Sequence, residues 1–172
     1  MSIFVTPDRV EPPLLAGERE AMEGFLDWYR DALLAKCAGL DGEQLARRAV
    51  PPSTLSLLGL VRHLTDVERS WFRRVLEGDA SAGPLHHTED NRDGDFDDGT
   101  PGSAEADRDA YLAELAVVRA VAARHALDDV GVHPVRGPLN LRWIYLHLIE
   151  EYARHLGHAD LLRERIDGVT GD

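Results

Sequence analysis

The chain has 172 residues, 44% of them hydrophobic, and a formal net charge of −12. That supports one domain with a real core and excludes a disordered chain, a nucleic-acid footprint and an anionic membrane surface as partner. No apolar run approaches the ~20 residues of a membrane span, and the single cysteine, Cys37, excludes an internal disulfide framework.

Pro12-Pro13 closes an N-terminal arm with no signal-peptide pattern, so a cytoplasmic location is expected. A first helix is predicted over 18–38 from the spacing of Met22, Phe25, Leu26, Tyr29, Leu33 and Cys37, with Gly39 and Gly42 at its end. Cys37 on that stripe reads as a small buried hydrophobe. A second helix is predicted over 54–77, capped by Ser53 or Thr54, with Leu57, Leu60, Leu64, Val67, Trp71 and Val75 on its apolar face. The stretch Gly78–Gly102 carries seven Asp or Glu and reads as a solvated acidic loop or a lid. Its Asp93–Gly99 segment is not an EF-hand: the glycine falls one place late, and Ala104 stands where a bidentate Glu belongs. Ser103 can cap a third helix, 103–126. A turn-rich connection holding a short extended piece then leads to Asn140, which can cap a fourth helix over 140–166. The expected fold is all-α: a four-helix bundle in a single domain, 1–172, with its core at 18–168 and long crossover loops. Trp28, Tyr29 and Trp143 lean toward a homodimer face, with core placement as the alternative.

The chemistry concentrates on the fourth helix. His147, Glu151, His155 and His158 are offset by four, four and three residues. At ~100° per residue all four fall within an arc of ~80° on one face. His and Glu at i, i+4 can hold one metal ion, and a third ligand from a facing helix completes such a site in a bundle core. Glu151 and His155 are the natural pair, and His63, mid-way along the second helix with Gly59 one turn before it, is the facing candidate. A solvated Glu and a polar-face His are the plain alternative reading. One ion cannot take all four groups from ~16 Å of helix, so His147 and His158 become supporting or substrate-facing candidates. Glu150 falls on the solvent side, and His86, His87, His125 and His133 read as surface residues. Neither a Gly-x-Ser-x-Gly nucleophile turn nor a Gly-rich phosphate loop occurs.

The fourth helix reads His147-Leu-Ile-Glu-Glu151-Tyr-Ala-Arg-His155-Leu-Gly-His158. This resembles the DinB-like superfamily of metal-binding four-helix bundles, whose last helix typically carries His-x-x-x-His-x-x-x-His-Arg-Gly-Gln. Here Glu151 replaces the middle His, and His158 stands where Gln is usual. The His, Glu, His set is similar to the branch of mycothiol-dependent transferases and maleylpyruvate isomerase. The phrases Ser56-Leu57-Leu58-Gly59-Leu60-Val61-Arg62-His63-Leu64 and Leu141-Arg142-Trp143-Ile144 resemble that branch too. The resemblance implies His63, Glu151 and His155 as ligands of a divalent metal, zinc first and nickel second, and a low-molecular-weight thiol such as mycothiol as cosubstrate. Three protein ligands leave a position open, the pattern of catalytic rather than structural zinc. The expected activity is transfer of that thiol to a small electrophile, with His158 as the catalytic or supporting candidate. The alternatives are a metal-dependent hydrolase and a non-enzymatic metal-binding stress-response protein. Of the 19 basic residues only Lys36 is a lysine, a GC-rich coding bias compatible with mycothiol-producing bacteria.

Overall fold

The computed structural model describes residues 2–171. Helix α1 (Glu18–Cys37) buries Met22, Leu26, Arg30, Leu33 and Cys37. Phe25, expected on that face, is 46% exposed. Arg30 is turned inward to meet Glu68, which centres the buried stripe on Leu26, Arg30 and Leu33 and rotates Phe25 outward by ~100° from Leu26. Helix α2 (Gly42–Leu45) is a single turn closed by reciprocal bonds between Asp41 and Gln44.

Helix α3 (Leu57–Glu68) starts at Ser56, whose hydroxyl accepts from the Gly59 N–H at 3.0 Å; this position, not Ser53 or Thr54, is the cap. It runs without interruption into a π-helical segment, Arg69–Leu76, in which the closing Glu77 N–H reaches back five residues to the Phe72 carbonyl. Helix α4 (Gly94–Asp97) lies inside the acidic loop. A 3₁₀ turn over Pro101–Ser103, initiated by Thr100 rather than Ser103, leads into α5 (Ala104–Ala122). The extended piece is an antiparallel hairpin, β1 (Val130–His133) with β2 (Gly137–Asn140), in which Val130 faces Asn140. Gly131 of this hairpin rests on the π segment so closely that a Cβ there would lie 2.2 Å from the Val75 carbonyl oxygen. Asn140 caps α6 (Leu141–Asp167) by accepting from the Trp143 N–H at 3.0 Å.

The bundle runs up, down, down, up. Helices α1 and α6 are parallel neighbours, since Glu18 meets Arg142 at one end and Lys36 meets Asp160 at the other. Helices α3 and α5 are also parallel, tied by Arg62 to Asp107 and Arg69 to Glu114. The two pairs oppose each other, which places His63 beside His155 and Trp71 beside His147. The long crossover from α3 to α5 is what a parallel pair requires. Between the helices lies one fully buried polar chain. Arg30 donates twice to Glu68 at 2.7 Å, Tyr152 donates to Glu68 at 2.9 Å, and the Tyr111 and Tyr152 hydroxyls meet at 2.9 Å.

The acidic crossover keeps most of its carboxylates in solvent, as expected, but its backbone is strapped to α3. Asp66 accepts from the Leu85 and His86 N–H groups at 2.6 and 2.9 Å. One turn earlier on the same helix, Arg62 donates to the carbonyls of Gly94 and Asp95 and to the Asp107 carboxylate. An acceptor and a donor four residues apart therefore strap both limbs of the crossover to α3. The aromatic residues that suggested a homodimer are engaged within the chain. Trp28 lies under the Arg9 guanidinium, and Tyr29 and Trp143 pack on the core, while all three keep part of their surface exposed. No helix among the described residues is long and apolar enough to cross a membrane.

Candidate metal centre

The antiparallel pairing of α3 and α6 carries the site. His63, Glu151 and His155 each offer a ligand atom, and the three atoms lie within 4.8 Å of one another. The His63 and His155 rings meet edge to face at 4.7 Å between centroids, and His155 Nε2 lies 3.4 Å from a Glu151 oxygen. The side chains of His63 and Glu151 keep about a quarter of their surface exposed, at 24% and 23%, while His155 keeps 12%. The donors are thus sheltered yet reachable from one side. Burial, then the neighbouring His63 and His158 rings, pushes the His155 pKa down to about 4, so its imidazole is neutral at pH 7. Two imidazoles and one carboxylate converging this way could hold a metal ion.

Each imidazole is held from behind. His63 Nδ1 is 2.8 Å from Asp95 Oδ2, and Phe96 stacks on the ring at 5.0 Å. His155 Nδ1 is 3.4 Å from His158 Nδ1, which places His158 against a ligand candidate rather than free in the cavity. His147 Nε2 lies 3.6 Å from Glu151, and its ring packs against Trp71 and Trp143. Beside His63 opens a cavity of about 350 Å³ whose walls include Val67, Ser70, Trp71, His87, Arg92, Phe96 and His133.

A family model described as mycothiol-S-transferase matches residues 21–168. The chain belongs to the mycothiol-S-transferase family. Comparison with curated proteins returned no match. Membership of the mycothiol-S-transferase family associates the chain with mycothiol-related transfer and a small thiol substrate, and the helical bundle agrees with the DinB-like fold that the sequence resembles.

In this member of the family, two histidines read as surface residues are not. The His86 side chain is only 8% exposed, lying 3.8 Å from Asp107 under the strapped crossover, and burial lowers its pKa. His133 stacks on Trp71 at 5.1 Å and lines the cavity, while its Nδ1 accepts from the Val135 and Arg136 N–H groups of the hairpin turn. His125 is half-buried at the end of α5, paired with Asp129. His87, facing Asp66, is half-buried at the cavity wall, and Glu150 is exposed. Burial pushes the Cys37 thiol up to about 12, in keeping with a packed hydrophobe. Asp95 and Phe96 escaped the sequence reading. The signal available was Phe96 itself, the one aromatic residue in the acidic crossover and so its natural docking point.

Proposed function

We propose that this chain is a metal-dependent transferase that activates a low-molecular-weight thiol, mycothiol by family, for attack on a small electrophile. The observation that supports it is the convergence of His63, Glu151 and His155 beside an open cavity, in a chain of the mycothiol-S-transferase family. Held by those three residues, a divalent ion, zinc first and nickel second, supplies the Lewis acidity that brings a thiol's pKa into the neutral range.

The chain's own residues do the rest. His155 stays neutral and offers a lone pair, and Glu151 contributes the one negative charge of the donor set. Val67, Trp71 and Phe96 give one wall of the cavity an apolar surface against which a small electrophile can be held near the sulfur nucleophile. Ser70, His87 and Arg92 supply polar groups for orienting both reactants. His158 steadies His155, and His147 does the same for Glu151 from the indole side. In the transfer, the thiol sulfur bonds to the electrophilic carbon, the bond to the leaving group breaks, and the thiol proton passes to solvent. The reading takes 18–168 as one domain acting in the cytoplasm, with no nucleic-acid or membrane partner.

The test is metal analysis of the purified protein, followed by turnover of a panel of alkyl halides and epoxides with and without mycothiol. Glu151→Gln is expected to weaken zinc binding and turnover together, because the charged donor is lost. Full retention of both would refute the assignment. Turnover of esters or amides without thiol would identify a hydrolase instead. Stoichiometric metal with neither activity would identify a metal-binding protein.

A further inference from the structure

The acidic crossover reaches the candidate metal centre through one carboxylate. Asp95 is 5% exposed, and both of its carboxylate oxygens are engaged: Oδ1 accepts from the Phe96 N–H at 3.0 Å, and Oδ2 lies 2.8 Å from His63 Nδ1. An ionised carboxylate can only accept, so the proton in that contact sits on Nδ1 of the ring. In the neutral ring the remaining nitrogen of His63, Nε2, carries the lone pair and is the one available to the site shared with Glu151 and His155.

Asp95 is not free to drift. Arg62 grips the Gly94 and Asp95 carbonyls at 3.0 and 2.9 Å and is itself anchored on Asp107 at 3.0 Å. Phe96, the next residue, lies flat on the His63 ring, tilted by 25°. Gly59 makes room for that approach: a Cβ there would lie 3.0 Å from Phe96 Cδ1 and 3.2 Å from Phe96 Cα, so Phe96 would have to shift by a few tenths of an ångström. Two consecutive residues of the crossover, Asp95 and Phe96, therefore hold the imidazole by its edge and its face, while Arg62 holds the Gly94 and Asp95 backbone from α3.

We propose that Asp95 is a positioning residue: it fixes His63 in the Nδ1–H tautomer and aims Nε2 at Glu151 and His155, making the acidic crossover a working part of the centre. The metal half of this rests on the proposed function above; the tautomer half does not. Carboxylates behind metal-bound histidines change metal affinity by about 10–100-fold when removed, without touching a ligand.

The experiment uses the full chain and Zn²⁺ alone, with Asp95→Ala and Asp95→Asn compared with the unaltered protein. Long-range proton–nitrogen spectra of the metal-free proteins read the His63 tautomer, a readout that simple loop anchoring does not move. Competition with a chelator reads the zinc dissociation constant, and circular dichroism reads the fold. The expected result is Nδ1–H at His63 in the unaltered protein, loss of that fixed tautomer in Asp95→Ala, and zinc binding weakened about 10–100-fold at unchanged stoichiometry. Asp95→Asn, close in shape but uncharged, should fall between the two, and it decides the matter if Asp95→Ala does not fold. An unaltered His63 tautomer together with zinc affinity within twofold would overturn the proposal, as would Nε2–H in the unaltered protein. If the unaltered protein binds no zinc, the metal assignment fails by itself, and the tautomer comparison still decides whether Asp95 orients His63.

Discussion

Replacing Glu68 by Ala would test the polar chain that crosses the bundle. Glu68 is fully buried and Arg30 nearly so, and they meet through two bonds of 2.7 Å. Burial disfavours the Arg30 charge and Glu68 restores it, leaving the guanidinium pKa well above its ordinary value. Without Glu68 an unpaired cation remains in the core, a change that costs about 3–5 kcal/mol. Arg30 keeps one bond to the half-exposed Asp27 at 2.9 Å, which relieves part of that, so the lower end, about 3 kcal/mol, is expected. Tyr152 loses an acceptor but keeps Tyr111 and adds little. At roughly 2–4 °C per kcal/mol for a chain of this size, the melting temperature should fall by about 6–12 °C. Urea unfolding followed by circular dichroism measures the free energy directly. The double replacement Arg30→Met with Glu68→Leu removes both charges and should return to within about 2 kcal/mol of the original. A Glu68→Ala loss under about 1 kcal/mol would refute the reasoning, as would a double variant as unstable as the sum of the single ones.

Three further outcomes follow from named contacts. With its pKa near 4 in the fold and ~6.5 when unfolded, His155 binds a proton more readily in the unfolded chain. Its contribution to the stability of the metal-free protein is therefore full above pH ~6.5 and is lost as pH falls toward about 4, and a proton–nitrogen titration should find the ring neutral down to that pH. Gly131→Ala drives a Cβ into the Val75 carbonyl and should destabilise by about 1–3 kcal/mol in a thermal melt; an unchanged melting temperature would mean the hairpin does not rest there. His158→Ala should leave zinc content intact while lowering turnover about tenfold, and equal turnover would remove His158 from the machinery.

The helices and their order were legible because apolar residues recur at helical spacing and because Asn140 is a strong cap. The pair Glu151 and His155 was legible for the same reason, since both lie on one helix and i, i+4 is a purely local relation. His63 was a weaker inference, resting on its mid-helix place beside Gly59 and reinforced by family resemblance, because nothing local says which helix will face α6. Asp95 was hidden further still. Its function lies in a contact 32 residues distant in sequence, and its neighbours are acidic residues that dilute any signal from it. The π segment was invisible because its periodicity differs too little from the α-helical one over eight residues. The hairpin register was equally unreadable in a stretch without strand alternation.

The strap formed by Arg62 and Asp66 divides the crossover into two inheritances. Residues 85–87 and 94–96 are pinned, and with them the geometry around His63. Between them, Glu89 and Asp90 form an exposed tip, closed by the Thr88 and Asn91 turn bonds, next to the cavity wall at His87 and Arg92. Lengthening a loop that is already closed at both ends adds only a few tenths of a kcal/mol per added pair of residues. Descendants of this chain can therefore rewrite that tip, in length as well as composition, and so reshape what the cavity admits, while the donor set stays where it is.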